Sequence, residues 1–333
     1  MISVICPIYN EERYIGKCIE SIMRQDYPKE DMEVLFVDGM STDRTREIVE
    51  EYARRYPFIW LLDNPRRIVP PALNIGIQAA KGEVIIRLDA HAIYPKNYFS
   101  VLVKKLNELG ADNVGGICRT LPVKDTLVCR VIAMALSSSF GMGNSYFRIG
   151  ATKEMRVDTV PFGCFRREVF DNIGLFDEEL VRNQDDEFNG RIIKNGGKIY
   201  LIPSLVIDYY ARDTIRKVRR MFYQYGLFKP LVNKKLGTPA TLRQFFPLCF
   251  VLGLIVGGML SLFFKAIFCL YVSVIALYFL LAFVFALKAT KNLKEVLILV
   301  WVFISIHLSY GWGYWVGLWK IMTGQSFTAK VNR

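Results

Sequence analysis

The chain has 333 residues, room for one sizeable α/β domain and something beyond it. Residues 1–240 hold 35 basic and 30 acidic side chains, a balance of +5 that implies no nucleic-acid partner, whereas residues 241–333 hold 8 and 1. That second excess borders three uncharged runs, Phe245–Phe264, Ala266–Leu287 and Val296–Trp319, each long enough to cross a hydrocarbon layer of about 30 Å as a helix. The seven cysteines form no CxxC pair and no zinc spacing, which suits a reducing, cytoplasmic setting. No signal peptide is expected ahead of Met1-Ile2-Ser3-Val4-Ile5-Cys6.

Ile2 to Ile5 reads as a first apolar strand, closed by Pro7 and the polar turn Tyr9-Asn10-Glu11-Glu12. Ile15, Ile19, Ile22 and Met23 recur at helical spacing up to Asp26-Tyr27-Pro28. Glu33 to Val37 is a second strand, ending in Asp38-Gly39. Ser41-Thr42-Asp43 then offer oxygens to free first-turn amides, so a helix is expected from there to about Arg55. A strand around Trp60 is followed by a helix carrying Ala72, Leu73, Ile75 and Ala79 behind Pro70-Pro71, then by the strand Glu83-Val84-Ile85-Ile86. This βαβαβαβ alternation predicts a mostly parallel sheet. Ligands of such sheets bind beyond the carboxyl ends of the strands, where this chain places Tyr9 and Glu12, Asp38, and Asp89 with His91. A GxGxxG turn is absent, which argues against a dinucleotide.

In Arg87-Leu88-Asp89-Ala90-His91 the carboxylate and imidazole stand at i, i+2. On an extended backbone both point to one face and could hold one divalent cation. The plainer reading is a strand-terminal aspartate making a turn, with His91 incidental. Beyond it, 97–110 reads as a helix, Asn113 to Ile117 as a strand, and Ser137–Arg148 as a glycine- and serine-rich loop, either a substrate-facing loop or, as composition favours, a flexible connector. Val160 to Phe165 leads into a short helix at Arg167. The cluster Asn183-Gln184-Asp185-Asp186-Glu187 opens a helix ending near Asn195-Gly196-Gly197. Acids in a first turn favour the helix dipole, but three in succession exceed what capping needs, and crowded carboxylates raise one another's proton affinity, as a general base requires. Lys198 to Val206 is a last strand. From Arg212 to Lys229, Arg216, Lys217, Arg219 and Arg220 alternate with Ile215, Val218, Met221 and Phe222, the pattern of a basic amphipathic helix lying on a bilayer.

Five motifs stand in order: Pro-Ile-Tyr-Asn-Glu-Glu at 7–12, Val-Asp-Gly-Met-Ser-Thr-Asp at 37–43, Ala-Leu-Asn-Ile-Gly at 72–76, Leu-Asp-Ala-His at 88–91 and Asn-Gln-Asp-Asp-Glu at 183–187. Over about residues 2–230 the chain resembles the family 2 inverting glycosyltransferases of the GT-A fold. Within them it looks like the membrane-anchored branch that includes succinoglycan-type exopolysaccharide glucosyltransferases. The resemblance implies that Pro7, Tyr9 and Glu12 line the nucleotide base pocket and that Asp38 contacts base or ribose. It makes Asp89 with His91 the Asp-x-Asp metal site and Asp185 the catalytic base, and it puts Gly163, Cys164 and Asp186 near the acceptor. Two departures stand out. Gly39 replaces the second aspartate of the usual Val-Asp-Asp-Gly-Ser, and His91 replaces the last aspartate of the metal motif, which favours Mn²⁺ over Mg²⁺. The Gln-x-x-Arg-Trp motif of processive synthases is not found, so transfer of a single sugar is expected.

The expected layout is therefore a cytoplasmic GT-A domain at 1–211 and a basic interfacial segment at 212–244. Membrane helices follow at about 245–264, 266–287 and 296–319, then a tail at 320–333. A cytoplasmic start puts the Lys288, Lys291 and Lys294 loop inside, as the positive-inside rule prefers, but the basic tail outside; a re-entrant third segment would remove that conflict. The expected partners are a UDP-linked hexose, a lipid-linked saccharide acceptor and the inner membrane, with a divalent metal (Mn²⁺ or Mg²⁺) as cofactor. Direct transfer to a polyprenyl phosphate, or a degenerate GT-A domain acting as a binding subunit, are the alternatives.

Overall fold

The computed structural model describes residues 1–239 and 241–327, so 328–333 of the expected tail, including Lys330 and Arg333, lie outside the described residues. The described residues divide into two compact units, one of residues 1–119 with 150–209, the other of 120–149 with 210–327.

The first unit is built on one sheet ordered β3-β2-β1-β4-β8-β6-β9-β5, with β7 (Met155–Arg156) paired to β9. Strands β1 (Ile2–Ile8), β2 (Met32–Asp38), β3 (Ile59–Asp63) and β4 (Val84–Arg87) are mutually parallel, as the alternation predicts. Helices α1 (Ile15–Met23), α2 (Thr45–Arg55) and α3 (Val69–Ala79) connect them. Past β4 the sheet becomes antiparallel. β8 (Cys164–Arg166) runs against both β4 and β6 (Asn113–Leu121), and β5 (Ala92–Ile93) runs against β9 (Ile199–Tyr210), so the sheet is mixed. β1 and β2 bury every residue, which is why they read as unbroken apolar runs. Pro7 does not close β1 but lies within it, paired with Val37. Helix α4 (Tyr98–Glu108) packs Phe99, Leu102 and Leu106 into the core.

Two short helices finish this unit, α8 (Arg167–Ile173) and α9 (Gln184–Lys194). An aromatic cluster holds α9: Phe188 stacks on Phe176 at 4.4 Å and on Phe170 at 5.0 Å, and meets the edge of Phe165 at 5.6 Å. Beside it, Asn189 accepts from Asn113 and donates to Thr159, both at 2.8 Å, which supplies partners to amides that burial would otherwise strand.

The second unit is helical. Residues 137–148, expected as a loop and on composition a connector, instead follow α5 (Leu127–Leu136) with two single turns, α6 (Ser139–Met142) and α7 (Tyr146–Ile149). Phe140 seats α6 among Tyr278, Phe285 and Phe303, and its carbonyl lies 2.9 Å from His307 Nε2. After α10 (Ile215–Leu236) come α11 (Phe245–Leu252), a π-helical stretch at Gly253–Gly257, and α12 (Gly258–Ser261). Two long helices end the unit, α13 (Lys265–Ala289) and α14 (Leu293–Met322). Three stretches, Leu242–Ser261, Lys265–Ala289 and Leu293–Met322, are long and apolar enough to cross a membrane. The last is one unbroken helix of 30 residues, without the reversal a re-entrant segment needs.

α10 differs from a helix resting its apolar face on lipid. Val218, Met221 and Phe222 of that face join a buried cluster with Val296, Leu299, Val302 and Ile306 of α14. The two backbones meet at glycines. A Cβ on Gly226 would fall 2.0 Å from the Tyr310 carbonyl oxygen, and one on Gly313 2.2 Å from that of Tyr223. What α10 leaves exposed is its basic side, Arg216, Lys217, Arg219 and Arg220.

Candidate active site

The carboxyl ends of β1 and β2 are stitched together by side chains that the motifs supply. Asn10, in the left-handed region at φ 54°, donates its N–H to Ser41 Oγ at 2.9 Å and accepts from the Thr42 N–H at 2.8 Å. Glu12 accepts from the Arg44 N–H and donates its own N–H to Asp43, both at 3.2 Å. Tyr9 is half-buried and lies against Gly39, where an added Cβ would stand 3.2 Å from its ring. That contact gives the missing second aspartate a structural correlate, because a side chain at position 39 would press on Tyr9. Asp38 is fully buried; it accepts from Ser41 Oγ at 2.6 Å and meets Arg46 at 3.4 Å, and Arg46 continues to Asp63 at 2.6 Å.

At the third strand end the backbone departs from the extended form that the i, i+2 argument assumed. β4 stops at Arg87, and Asp89 to His91 form a turn closed by the Ala92 N–H to the Asp89 carbonyl at 3.3 Å. The buried Tyr94 hydroxyl grips this turn, accepting from the Asp89 N–H at 2.8 Å and donating to the Asp89 carbonyl at 3.2 Å. His91 stands with Nδ1 3.5 Å from Glu11 Oε1 and its ring 5.4 Å from that of Tyr209. The plainer expectation, a strand-terminal aspartate in a turn, describes the backbone here.

Asp185 is the second residue of α9, and Asn183 ahead of the helix takes a left-handed conformation at φ 62° that asparagine tolerates better than most side chains. The Arg87 guanidinium reaches across to it. Nη1 pairs with Asp185 Oδ1, while Nη2 lies 3.4 Å from Asp89 Oδ1. The structure thus brings Asp89 and Asp185 onto one cation. Burial works against the Arg87 charge, but Asp185 and Asp89 outweigh it and raise its pKa. Enclosure by protein pushes the Asp185 carboxyl up; Arg87 pulls it back, and Asp89 and Asp186 add to the push, leaving it above the ordinary aspartate value. Its side chain keeps an opening to solvent, 37% exposed, through which a substrate hydroxyl could approach.

Gly163 and Cys164 separate. Cys164 lies in β8, fully buried and paired with Ile86 and Val114, and burial pushes its thiol pKa up, so it is a sheet residue rather than a loop residue. Gly163 stays in the loop. It follows Phe162, also left-handed at φ 60°, in a tight turn closed by the Gly163 N–H to the Pro161 carbonyl at 2.7 Å. A Cβ at Gly163 would fall 2.3 Å from the Phe165 ring, so both conformation and space demand glycine. A small cavity lined by Arg87, Val160, Phe162, Gly163, Asp185 and Asn189 joins this loop to the start of α9.

Arg87 is the side chain joining the expected site residues Asp89 and Asp185, and reading the motifs misses it. Its signal was present, since a lone arginine closing an apolar strand must be paired if it is buried, but its partner lies 98 residues away. Among the described residues no group of three or more His, Cys, Asp or Glu side chains gathers as a metal site. Asp89 and His91 offer one carboxylate and one imidazole, a donor set that fits Mn²⁺ once further oxygen ligands complete its shell.

The model of glycosyl transferase family 2 matches residues 3–174. The chain is 34% identical over 243 residues to the dolichyl N-acetyl-α-D-glucosaminyl phosphate 3-β-D-2,3-diacetamido-2,3-dideoxy-β-D-glucuronosyltransferase of Methanococcus voltae, covering 70% of this chain and 74% of that one. It is 31% identical over 247 residues to the succinoglycan biosynthesis protein ExoA of Rhizobium meliloti, covering 74% of each. Among solved structures, the mannosyltransferase PcManGT of Pyrobaculum calidifontis, in complex with GDP-Man and Mn²⁺, aligns with a TM-score of 0.59 at 20% identity, over 93% of this chain and 87% of that one. TarS 1-349 of S. aureus, in complex with UDP, aligns with a TM-score of 0.53 at 18% identity, over 99% and 94%. These structural likenesses establish the GT-A fold, and the sequence matches establish the family: the chain belongs to glycosyl transferase family 2 and is a glycosyltransferase.

Proposed function

We propose that this glycosyltransferase moves a single hexose from a UDP-sugar to a saccharide carried on a membrane lipid, with inversion, at the cytoplasmic face of the inner membrane. One observation carries the reading: Asp89, at the strand end expected to meet the donor diphosphate, and Asp185, at the helix start expected to meet the acceptor, share the Arg87 guanidinium. The M. voltae relative is named for an acceptor on dolichyl phosphate, and the R. meliloti relative for succinoglycan biosynthesis, which supports a lipid-carried acceptor in cell-surface polysaccharide synthesis. The three apolar stretches and the exposed basic side of α10 suit an enzyme held against anionic headgroups.

In this reading Pro7, Tyr9 and Glu12 surround the nucleotide, and the fully buried Asp38 holds the second strand end beneath it through Ser41 and Arg46. Asp89 and His91 would hold a divalent cation, which when bound neutralises charge on the departing diphosphate. Asp185 accepts the proton of the acceptor hydroxyl as its oxygen bonds to the anomeric carbon. The bond from that carbon to the diphosphate breaks in the same displacement, and its electron pair leaves with the diphosphate, so an α-linked donor gives a β-glycoside. The raised pKa makes Asp185 a better proton acceptor than an ordinary aspartate, and Arg87 keeps it ionised. Gly163 and Asp186 border the acceptor.

The test is a panel of labelled UDP- and GDP-sugars incubated with membranes carrying the protein, with extracted lipid-linked saccharides and bare polyprenyl phosphate as alternative acceptors. Label entering the lipid-linked saccharide from a UDP-hexose is expected, and Asp185→Asn should cut it at least ~10³-fold while UDP binding changes less than about threefold. Label entering only polyprenyl phosphate overturns the acceptor assignment, and transfer surviving Asp185→Asn overturns the base.

A further inference from the structure

Three segments that converge on the site are far apart in the chain: the turn at 88–91, the loop at 160–163 and the start of α9. One residue touches all three. The Arg87 N–H donates to the Gly163 carbonyl at 3.0 Å, its Nη1 pairs with Asp185, and its Nη2 lies 3.4 Å from Asp89. We infer that Arg87 is a positioning residue, whose two-pronged guanidinium fixes the donor-side carboxylate and the acceptor-side base in one working geometry.

The geometry carries the argument in three steps. Arg87 is 7% exposed, so water cannot satisfy its charge, and a desolvated guanidinium held by one carboxylate alone would be poorly compensated. Its backbone is fixed from behind, because β4 pairs with β1 on one side and β8 on the other. The partners sit on a turn and on the first residues of a helix behind a left-handed asparagine, so carboxylates of two separate segments are held against one strand-end side chain. A planar fork can serve two carboxylates in fixed directions, which a lysine ammonium cannot do.

This inference rests on Asp185 being the base, and the test separates the two. Arg87→Lys keeps the charge and removes the fork. With the full-length protein in membranes, and rates divided by the number of UDP-binding sites, kcat should fall ~10²-fold while donor KM stays within about threefold, since misplacement of about 1 Å at a reacting centre costs that much. A purely structural role would lower the number of UDP-binding sites and leave kcat per site unchanged, and that result overturns the inference. If Asp185→Asn is inactive but Arg87→Lys has normal kcat, the inference fails and the base assignment stands. If Asp185→Asn is active, the base assignment fails first. Should Arg87→Lys not fold, kcat per UDP-binding site of Arg87→Gln decides: a fall of that size at unchanged donor KM supports the inference, and an unchanged kcat overturns it.

Discussion

The two units hold distant segments together by opposite means. In the first, charge does it: the buried Arg87 joins 89 and 185, and the partly exposed Arg46 joins 38 and 63, each guanidinium spanning carboxylates from different strand ends or helices. In the second, the absence of side chains does it. Gly226, Gly313 and Gly317 let α10 and α14 approach backbone to backbone, and Gly311 does the same for α14 against Pro247 of α11. Charge gives direction and can be exchanged for substrate charge during a reaction, whereas glycine contacts give closeness with nothing to titrate or exchange. The contrast predicts that the two units break differently.

The largest effect should come from removing charge from the first unit. Chelation of divalent metal is expected to abolish transfer by at least ~10³-fold, with Mn²⁺ restoring it better than Mg²⁺, while unfolding of the helical unit in detergent is unchanged. His91→Asp should shift the preference toward Mg²⁺, since a second carboxylate is a harder ligand than imidazole. Mn²⁺ and Mg²⁺ titrations of both proteins decide it; an unaltered preference would remove His91 from the site and leave Asp89 as the anchor.

The complementary break is in volume. Gly313→Val places atoms where a Cβ alone would meet the Tyr223 carbonyl at 2.2 Å and the Leu227 nitrogen at 3.0 Å. Backbone cannot move aside as a flexible side chain can, so destabilisation of about 1–3 kcal/mol or more is expected. It should show as a lower unfolding temperature with UDP affinity intact in the protein that remains folded. A UDP affinity that falls together with stability would show that the contrast between the units is false.

These two cases also show what was legible in the sequence. Apolar runs and strand-end polar residues revealed the parallel half of the sheet, because β1, β2 and β4 are buried on both faces and cannot hide their composition. The turn at 88–91 was less legible, since the hydroxyl that bends it belongs to Tyr94, outside the motif. The amphipathic pattern of α10 was real, but a pattern does not say what covers the apolar face. The cue for α14 was Gly311, Gly313 and Gly317 within an otherwise bulky apolar helix, which marks close helix packing rather than lipid exposure. Composition likewise hid α6, where Phe140 among serines and glycines is the residue that packs. Arg87 needed the fold, because only the fold brings α9 to the end of β4.

A smaller effect separates charge from stability within the first unit. If Asp185 is the base, it works as a carboxylate, and transfer is present above its pKa and lost below it. Because that pKa is raised, chiefly by enclosure, the loss on acidification should begin above the ordinary aspartate value of about 3.9. The stability effect has the opposite sign. A group that binds its proton more tightly when folded adds stability below its unfolded pKa and gives it up as pH rises through the folded pKa. Acidification through this window should thus remove activity while this group does not destabilise the fold. Rate and unfolding temperature measured against pH should diverge, and a parallel decline would mean that the acid limb reports unfolding.

The smallest effect tests where volume enters the charged unit at all. Gly39 stands where the family pattern has aspartate, and the Tyr9 ring occupies the space a side chain would need, 3.2 Å from an added Cβ. That is tight but not prohibitive, because a ring on a half-buried side chain can give by a few tenths of an ångström. Gly39→Ala should therefore tilt Tyr9 without unfolding anything. If Tyr9 faces the nucleotide base, donor KM should rise about two- to threefold with kcat unchanged, the signature of lost uniform binding. Donor kinetics on Gly39→Ala check this directly, and equal KM values would place Tyr9 outside the base pocket. A change in kcat instead would mean that the first two strand ends are coupled to the third, through Glu11 and its 3.5 Å approach to His91.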